Sequence, residues 1–358
     1  MYVQKKHYFC SMNILLTGVG APGVQGTIYA LRALEGHIIG TDADEMAVGQ
    51  YLCDEFFSIA KAKETERYLS DLMSLCKDKE IDCIVPQNTA ELSVLAEHKS
   101  AFEQIGTKVL VSDQQSIADA NNKYRLLCKA QELAIPTGSF SLCSDFGQLA
   151  DQVAWRREAG LLTVVKPPCG NGSRGVRVII AGEGRNRKED FYNSKPSSLY
   201  CTLEELHAVL GDQFPELLVM DYLPGEEYTV DVLRTDRQFV ALPRKREAMR
   251  SGITFRASLE KNEAIMDAVE KLSEALNLRY CFGFQFKKNA DGKPVLLECN
   301  PRVQGTMVMS AMAGANIIAE AVRDCLQLPS EPMQIDWNTR LIRYWGAIGV
   351  NEAGVVKI

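Results

Sequence analysis

The chain has 358 residues, 46% of them hydrophobic, and its 40 Lys and Arg against 46 Asp and Glu leave a formal net charge of -6. That content supports two or three packed domains and excludes a disordered chain, and the net negative charge excludes a general electrostatic surface for nucleic acid. No apolar run approaches the ~20 residues of a membrane helix, the polar stretch Met1–Ser11 lacks the apolar core of a signal, and the eleven cysteines are scattered without a Cys-x-x-Cys pair. A cytoplasmic protein, without membrane or nucleic-acid partners, is the expectation.

Asn13–Thr17 reads as a buried strand, Gly18–Gly23 as a glycine turn, Val24–Leu34 as an amphipathic helix and Gly36–Asp42 as a second strand, which together make a βαβ unit. The alternation continues with helix Thr65–Lys77, strand Ile81–Val85, helix Ala90–Phe102 and strand Thr107–Val111, so a parallel-sheet domain is expected over residues 1–115. Gly18, Gly20 and Gly23, with Asp42 ending the next strand, superficially match a dinucleotide fingerprint. The same glycines serve any tight strand-to-helix turn, and nothing downstream offers a hydride-transfer site. The turn is read as structural, or as a contact for part of a carboxylate substrate at a helix N-terminus.

A helix is expected over Ser116–Leu133, carrying Lys123. Then Leu161–Lys166 forms a strand ending in a lysine, followed by Pro167-Pro168, the glycine loop Cys169–Gly175 and a strand Val176–Ile180. Successive backbone N–H groups of such a loop can fold over phosphate oxygens while the lysine adds a point charge. It is not a Walker loop, since a strand rather than a helix follows the glycines; a plain hairpin tip is the competing reading. After the polar Gly182–Ser198 and helix Leu203–Leu210, Glu216–Val232 reads as strand, hinge (Asp221–Leu223), turn (Pro224-Gly225) and strand from Glu227. A hinge exposing one carbonyl and one N–H can pair with an adenine edge, and a carboxylate opening the next strand can hold ribose hydroxyls; any hairpin shares part of this pattern. Arg244, Lys245, Arg246 and Arg250 then concentrate charge, either as a clamp for an anionic substrate or as a solvated strand and turn.

Tyr280–Lys288 and Leu296–Arg302 alternate around the turn Asn289–Lys293 and read as a hairpin. Glu298 and Asn300, two apart, leave the same strand face, and Gln285 on the partner strand supplies a third oxygen. One carboxylate and two amide oxygens suit Mg²⁺, which keeps room for waters and substrate phosphates; a polar edge hairpin with one solvated face is the alternative.

Lys166 with its glycine loop, the Asp221-Tyr-Leu-Pro-Gly-Glu-Glu-Tyr228 hinge, Gln285 and Glu298-x-Asn300-Pro-Arg302, in that order, resemble the ATP-grasp superfamily, above all its carboxylate-amine ligases and carbamoyl-phosphate synthase large-subunit domains. The resemblance covers about Ile14–Leu328. It implies an α/β fold, α+β in its C-terminal part: a Rossmann-like N-terminal domain (1–115) followed by a two-subdomain ATP-grasp fold, with a central lid (116–200) and a C-terminal subdomain with the magnesium site (201–358), ATP lying between the last two. Lys123 and Lys166 then resemble the phosphate-binding basic residues, and Gly170, Gly172, Ser173 and Gly175 the lid loop. Asp221 and Leu223 resemble the backbone adenine contacts, Glu227 the ribose ligand, Gln285, Glu298 and Asn300 the metal ligands, and Arg302 the arginine near the transferring phosphoryl group. The activity implied is ATP- and Mg²⁺-dependent conversion of a small carboxylate to an acyl phosphate that an amine displaces, releasing ADP and phosphate. A bicarbonate-activating enzyme similar to carbamoyl-phosphate synthase or a carboxylase, and a nucleotide-binding module without turnover, are the alternatives. Members often dimerise, so a homodimer is compatible with the resemblance. Only Glu298 is charged where many relatives have two carboxylate ligands.

Overall fold

Five successive residues with no glycine, Asn13–Thr17, four of them fully buried, make β1 (Asn13–Thr17) the centre of the first sheet. The computed structural model describes residues 12–170, 172, 174–181, 199–250, 252–351 and 354–357. They group into two compact units: Met1–Ala118 with Thr229–Gly283 and Asn300–Ile358, and Asp119–Tyr228 with Phe284–Cys299.

In the first unit β1 pairs in parallel with β2 (His37–Asp42) and β4 (Cys83–Val85), and β3 (Glu55–Ser58) and β5 (Lys108–Val109) extend the order to β3-β2-β1-β4-β5. Both faces are covered, by α1 (Val24–Leu31), α2 (Thr65–Asp78), α3 (Thr89–Glu97) and α4 (Lys99–Gln104) among others. Alternate residues of β1 therefore enter different cores: Ile14 and Leu16 one, Leu15 the other. The helix expected over Ala90–Phe102 is interrupted at His98, whose ring Nδ1 lies 3.0 Å from the Val94 carbonyl.

α5 (Gln114–Asn121) and α6 (Lys123–Glu132) replace the single expected helix. Asn122 interrupts it, because its side chain accepts the Arg125 N–H at 3.1 Å as a helix N-cap. The second unit holds β6 (Phe140–Asp145), α7 (Phe146–Glu158), β7 (Thr163–Lys166), β8 (Arg177–Ile179), β9 (Tyr200–Cys201), α8 (Leu203–Leu210) and β10 (Gln213–Asp221). Its sheet runs β6-β10-β7-β8-β9, with a small core of Leu149, Val153, Val165, Leu206 and Val219 among others. The polar segment Gly182–Ser198 lies outside the described residues.

A further sheet has the order β15-β14-β11-β12-β13-β16, formed by β11 (Glu227–Arg234), β12 (Phe239–Arg250), β13 (Ile253–Leu259), β14 (Tyr280–Lys288), β15 (Pro294–Asn300) and β16 (Arg340–Ile342). Helices α9 (Glu263–Ala275), α10 (Val308–Met312) and α11 (Ile317–Cys325) accompany it, and β17 (Ile348–Asn351) with β18 (Gly354–Lys357) forms a separate hairpin. The parallel N-terminal sheet followed by mixed sheets is the expected fold class. No helix among the described residues is long and apolar enough to cross a membrane.

Within the first unit the start of α1 meets the chain beyond β15 backbone to backbone. A Cβ on Gly23 would lie 2.3 Å from the Gly305 Cα and 2.8 Å from its carbonyl oxygen. Neither backbone can swing aside as a side chain would. Gly23→Ala is expected to cost about 1–3 kcal/mol, the usual range for overpacking, read as a lower melting temperature; unchanged stability would show that this approach is not tight.

Candidate functional site

The capping of α6 sets up the basic cluster of the second unit. Because the helix starts at Lys123, that residue's N–H donates to the Pro168 carbonyl at 2.8 Å and its Nζ to the Gly170 carbonyl at 2.7 Å, fastening the glycine loop to the helix start. The same Nζ stands 3.6 Å from Glu298 Oε2. Lys166 ends β7, where Pro167 stops the strand, and its Nζ lies 3.5 Å from the Leu297 carbonyl. Both lysines are buried. Burial pushes the Lys166 ammonium down to about 8; Glu298 opposes this, Lys123 adds to it and Glu227 opposes it. The two ammonium groups, buried beside the Glu298 and Glu227 carboxylates, can meet phosphate oxygens as point charges.

Gly170, Gly172 and Gly175 all adopt positive φ (133°, 63° and 73°), which lets a short loop turn its N–H groups inward. At Gly175 a Cβ would also meet the Pro167 ring at 2.7 Å. Ser173 lies outside the described residues. Asp221 ends β10, Leu223 follows as a buried hinge residue, and Glu227 opens β11. The Asp221 side chain is committed elsewhere, to the buried Arg156 at 2.9 Å.

Gln285 lies on β14 and Glu298 and Asn300 on β15, neighbouring strands of one sheet. These donors are hard oxygens, and the Glu298 side chain is 25% exposed with an ammonium no closer than 3.6 Å, so its carboxylate can still accept a hard cation. Among the described residues no three His, Cys, Asp or Glu side chains converge as a metal site. One carboxylate and two amide oxygens are donors of the kind that Mg²⁺ takes.

Five residues of the first unit that the sequence singles out are held by protein groups in the structure. Arg302 is pinned locally: its Nε donates to Thr89 Oγ1 at 2.9 Å and its Nη1 to the Val303 carbonyl at 2.9 Å. Arg244, read either as one arm of a basic clamp or as part of a solvated strand and turn, is instead a core residue whose Nε and Nη2 donate to the Asp231 carboxylate at 2.7 and 3.2 Å, both side chains being essentially unexposed. Burial raises the Asp231 carboxyl, and Arg244 counters it. Arg246 is likewise held, by Thr254 Oγ1 at 2.9 Å and the Gly252 carbonyl, and Arg250 stacks 4.8 Å over the Phe255 ring. Asp42, the acid of the superficial dinucleotide fingerprint, turns back on the glycine turn and accepts the Gly20 N–H at 2.7 Å and the Asp44 N–H at 3.0 Å.

Sequence reasoning missed Gln304 and Arg156. Gln304 stands two residues after Arg302, its Oε1 3.4 Å from Arg244 Nη2. Arg244 Nη1 and Gln304 Nε2 are both buried donors without a protein acceptor, which is the exception for buried polar groups. Arg156 did leave a signal: with Leu149 and Val153 it continues the buried stripe of α7 at helical spacing.

Residues 213–343 match the family described as ATP-grasp in the biosynthetic pathway with Ter operon, and residues 14–110 match the PylC-like N-terminal domain. A search of curated protein sequences finds no match. Among solved structures the chain is similar to the N5-carboxyaminoimidazole synthetase of Staphylococcus aureus complexed with ADP, at 16% identity and a TM-score of 0.66, over 92% of this chain and 80% of that one. It is similar to the biotin carboxylase of Campylobacter jejuni, at 18% identity and a TM-score of 0.65, over 92% and 74%. The biotin carboxylase domain of Hydrogenobacter thermophilus 2-oxoglutarate carboxylase, solved with MgADP, ADP and bicarbonate, gives 17% and 0.66 over 92% and 73%. With its parallel-sheet N-terminal domain and the similarity of nearly the whole chain to these structures, the chain has the fold of ATP-grasp enzymes, and residues 213–343 match an ATP-grasp family.

Proposed function

We propose that the protein is an ATP-dependent, carbon–nitrogen bond-forming ligase that converts a small-molecule carboxylate to an acyl phosphate and joins it to an amine, with release of ADP and phosphate. The observation that carries this reading is the Lys123–Lys166–Glu298 cluster fastened to the glycine loop. No protein nucleophile is needed when the substrate's own carboxylate attacks the γ-phosphoryl group; the chain has to neutralise charge and align two oxygens. Lys123 and Lys166 hold phosphate oxygens, and the glycine loop covers them and keeps water from the acyl phosphate. Glu298, Gln285 and Asn300 would hold Mg²⁺, whose charge would offset that of the phosphates. Asp221 and Leu223 offer backbone groups to the adenine edge and Glu227 its carboxylate to the ribose. Arg302 is the guanidinium assigned to the phosphoryl group in transfer. The known structures it resembles, named for enzymes crystallised with ADP or MgADP, support the nucleotide and the metal.

ATP with Mg²⁺ is expected to raise the melting temperature, since a ligand at a hundred times its Kd adds about 2.7 kcal/mol to the folded state. NAD and NADP are expected to leave it unchanged, because Asp42 is already spent on Gly20 and Asp44. A shift with NADH and none with ATP would overturn the assignment. ADP release in a screen of carboxylates paired with amines, with bicarbonate as a separate arm, then identifies the acid that is activated.

A further inference from the structure

Arg156 is a charged residue in the core of the second unit, 1% exposed, and no step of the proposed reaction uses it. Its guanidinium is engaged on every side. Nε donates to Asp221 Oδ1 at 2.9 Å, Nη1 to Gln152 Oε1 at 2.9 Å and the Gln152 carbonyl at 3.2 Å, and Nη2 to the Ser139 carbonyl at 3.1 Å and, more weakly, the Val219 carbonyl at 3.5 Å. The second oxygen of Asp221, Oδ2, accepts the Ser139 N–H at 2.7 Å. Gly138 leaves room for this: a Cβ there would stand 3.2 Å from Oδ2.

The consequence lies in the backbone. β10 and β6 pair antiparallel through Met220 and Phe140, and the next bond is present in one direction, from the Asp221 N–H to the Ser139 carbonyl at 3.2 Å. In a regular ladder the Ser139 N–H would return to the Asp221 main-chain carbonyl. Here the Asp221 carboxylate takes that N–H, held in place by Arg156, and the main-chain carbonyl is relieved of that ladder partner at the point where the hinge begins.

We propose that Arg156 is a positioning residue that sets the nucleotide base specificity, by withdrawing the Asp221 carboxylate so that the hinge offers the base only the Asp221 carbonyl and the Leu223 N–H. The inference rests on the reading that the base lies against Asp221–Leu223. A carbonyl acceptor followed by an N–H donor matches adenine, whose 6-amino group donates and whose N1 accepts. Guanine presents O6 and N1–H at those places, so both pairings oppose. A freed Asp221 carboxylate would reverse the preference, because it can accept from both N1–H and the 2-amino group of guanine.

The test compares ATP and GTP, each with Mg²⁺, by calorimetric titration of the wild-type protein, Arg156→Met, Arg156→Lys and the double variant Arg156→Met/Asp221→Leu. Wild type is expected to prefer ATP strongly. Arg156→Met should narrow the ratio of affinities at least tenfold, with ATP weakened and GTP strengthened, and Arg156→Lys should narrow it less. The double variant buries no unpaired carboxylate and releases none, so it should fold and return most of the preference for ATP. An equal loss for both nucleotides in the single variants, or a double variant as permissive as Arg156→Met, overturns the proposal. Should Arg156→Met fail to fold, Arg156→Lys and the double variant decide: an unchanged ratio in the lysine variant overturns it. A wild-type protein that binds ATP and discriminates, with variants whose ratio does not move, defeats this inference alone; a wild-type protein that binds no nucleotide defeats the functional reading beneath it.

Discussion

Lys166→Met is expected to abolish ADP formation nearly completely while making the nucleotide-free protein more stable. The ammonium is buried and pushed from 10.5 down to about 8, chiefly by burial. Between those two values the unfolded chain binds a proton that the folded chain does not, so stability rises with pH through that window. Below about pH 8 the folded protein carries the full cost of a buried cation, an upper bound of about 3 kcal/mol at 1.36 kcal/mol per pKa unit. Methionine removes that cost. ATP reverses the sign, because its phosphates favour the charged lysine: binding takes up a proton, and affinity should fall about fivefold between pH 8 and pH 9. Lys166→Arg keeps its charge throughout and should flatten that dependence. Removing one electrostatic partner of a transferring group commonly costs 10²–10³ in rate, and a loss of that size is expected for the methionine variant. Melting temperature without nucleotide, ATP titrations at pH 7, 8 and 9 and the rate of ADP release check the three statements; a destabilised Lys166→Met, or an ATP affinity indifferent to pH, would mean that Lys166 is an ordinary structural lysine.

That lysine was legible because its neighbours are the wrong company for a solvated charge: Thr163-Val-Val165 demands burial, and Pro167 ends the strand at once. The glycine loop and the Asp221–Leu223 hinge were legible for a similar reason, since turn residues punctuate strong strand alternation. The split between α5 and α6 was not. Helical periodicity runs straight through Asn121-Asn122, and only the hydrogen bond from Arg125 N–H to Asn122 shows that capping prevails there over propagation. The loss of the helix Ala90–Phe102 at His98 has the same local character. Arg244 failed for a different reason. In sequence it is one basic residue among four, and its meaning comes from Asp231 on the neighbouring strand, inside the run Thr229-Val-Asp-Val-Leu233 that local hydropathy reads as plain core. Long-range pairing decides whether a charge is a ligand or a beam, and no window of a dozen residues contains it. Arg156 and Asp221, 65 positions apart, are the same lesson, although the Leu149–Val153–Arg156 spacing did mark the arginine as inward-facing.

Glu298→Gln and Arg302→Lys are expected to be the most damaging conservative changes to turnover after loss of Lys166, and to differ in kind. Glu298 is the one charged residue among the three assigned metal ligands, and it also opposes the depression of Lys166. Its amide replacement keeps the shape of β15 and removes the anion, so activity should fall by about 10²–10³ with the fold intact. Excess Mg²⁺ should recover part of it, because a weakened site can still be filled by mass action. The amide should also depress Lys166 further, moving the alkaline fall in ATP affinity to lower pH. Arg302 offers no such recovery. Its guanidinium plane is fixed by Thr89 Oγ1 and the Val303 carbonyl, and a lysine ammonium, a point charge on a flexible stem, can satisfy neither the plane nor two phosphoryl oxygens together. The interaction belongs mainly to the transition state, so kcat should fall, ATP affinity should change little and added Mg²⁺ should have no effect. If the two residues served stability alone, both variants would melt at lower temperature and keep their turnover per folded molecule. Melting curves together with Mg²⁺-dependent ADP release separate the cases residue by residue: full turnover in either variant removes that residue from the chemistry, and magnesium rescue of Arg302→Lys would show that its guanidinium acts on metal binding rather than on the phosphoryl group.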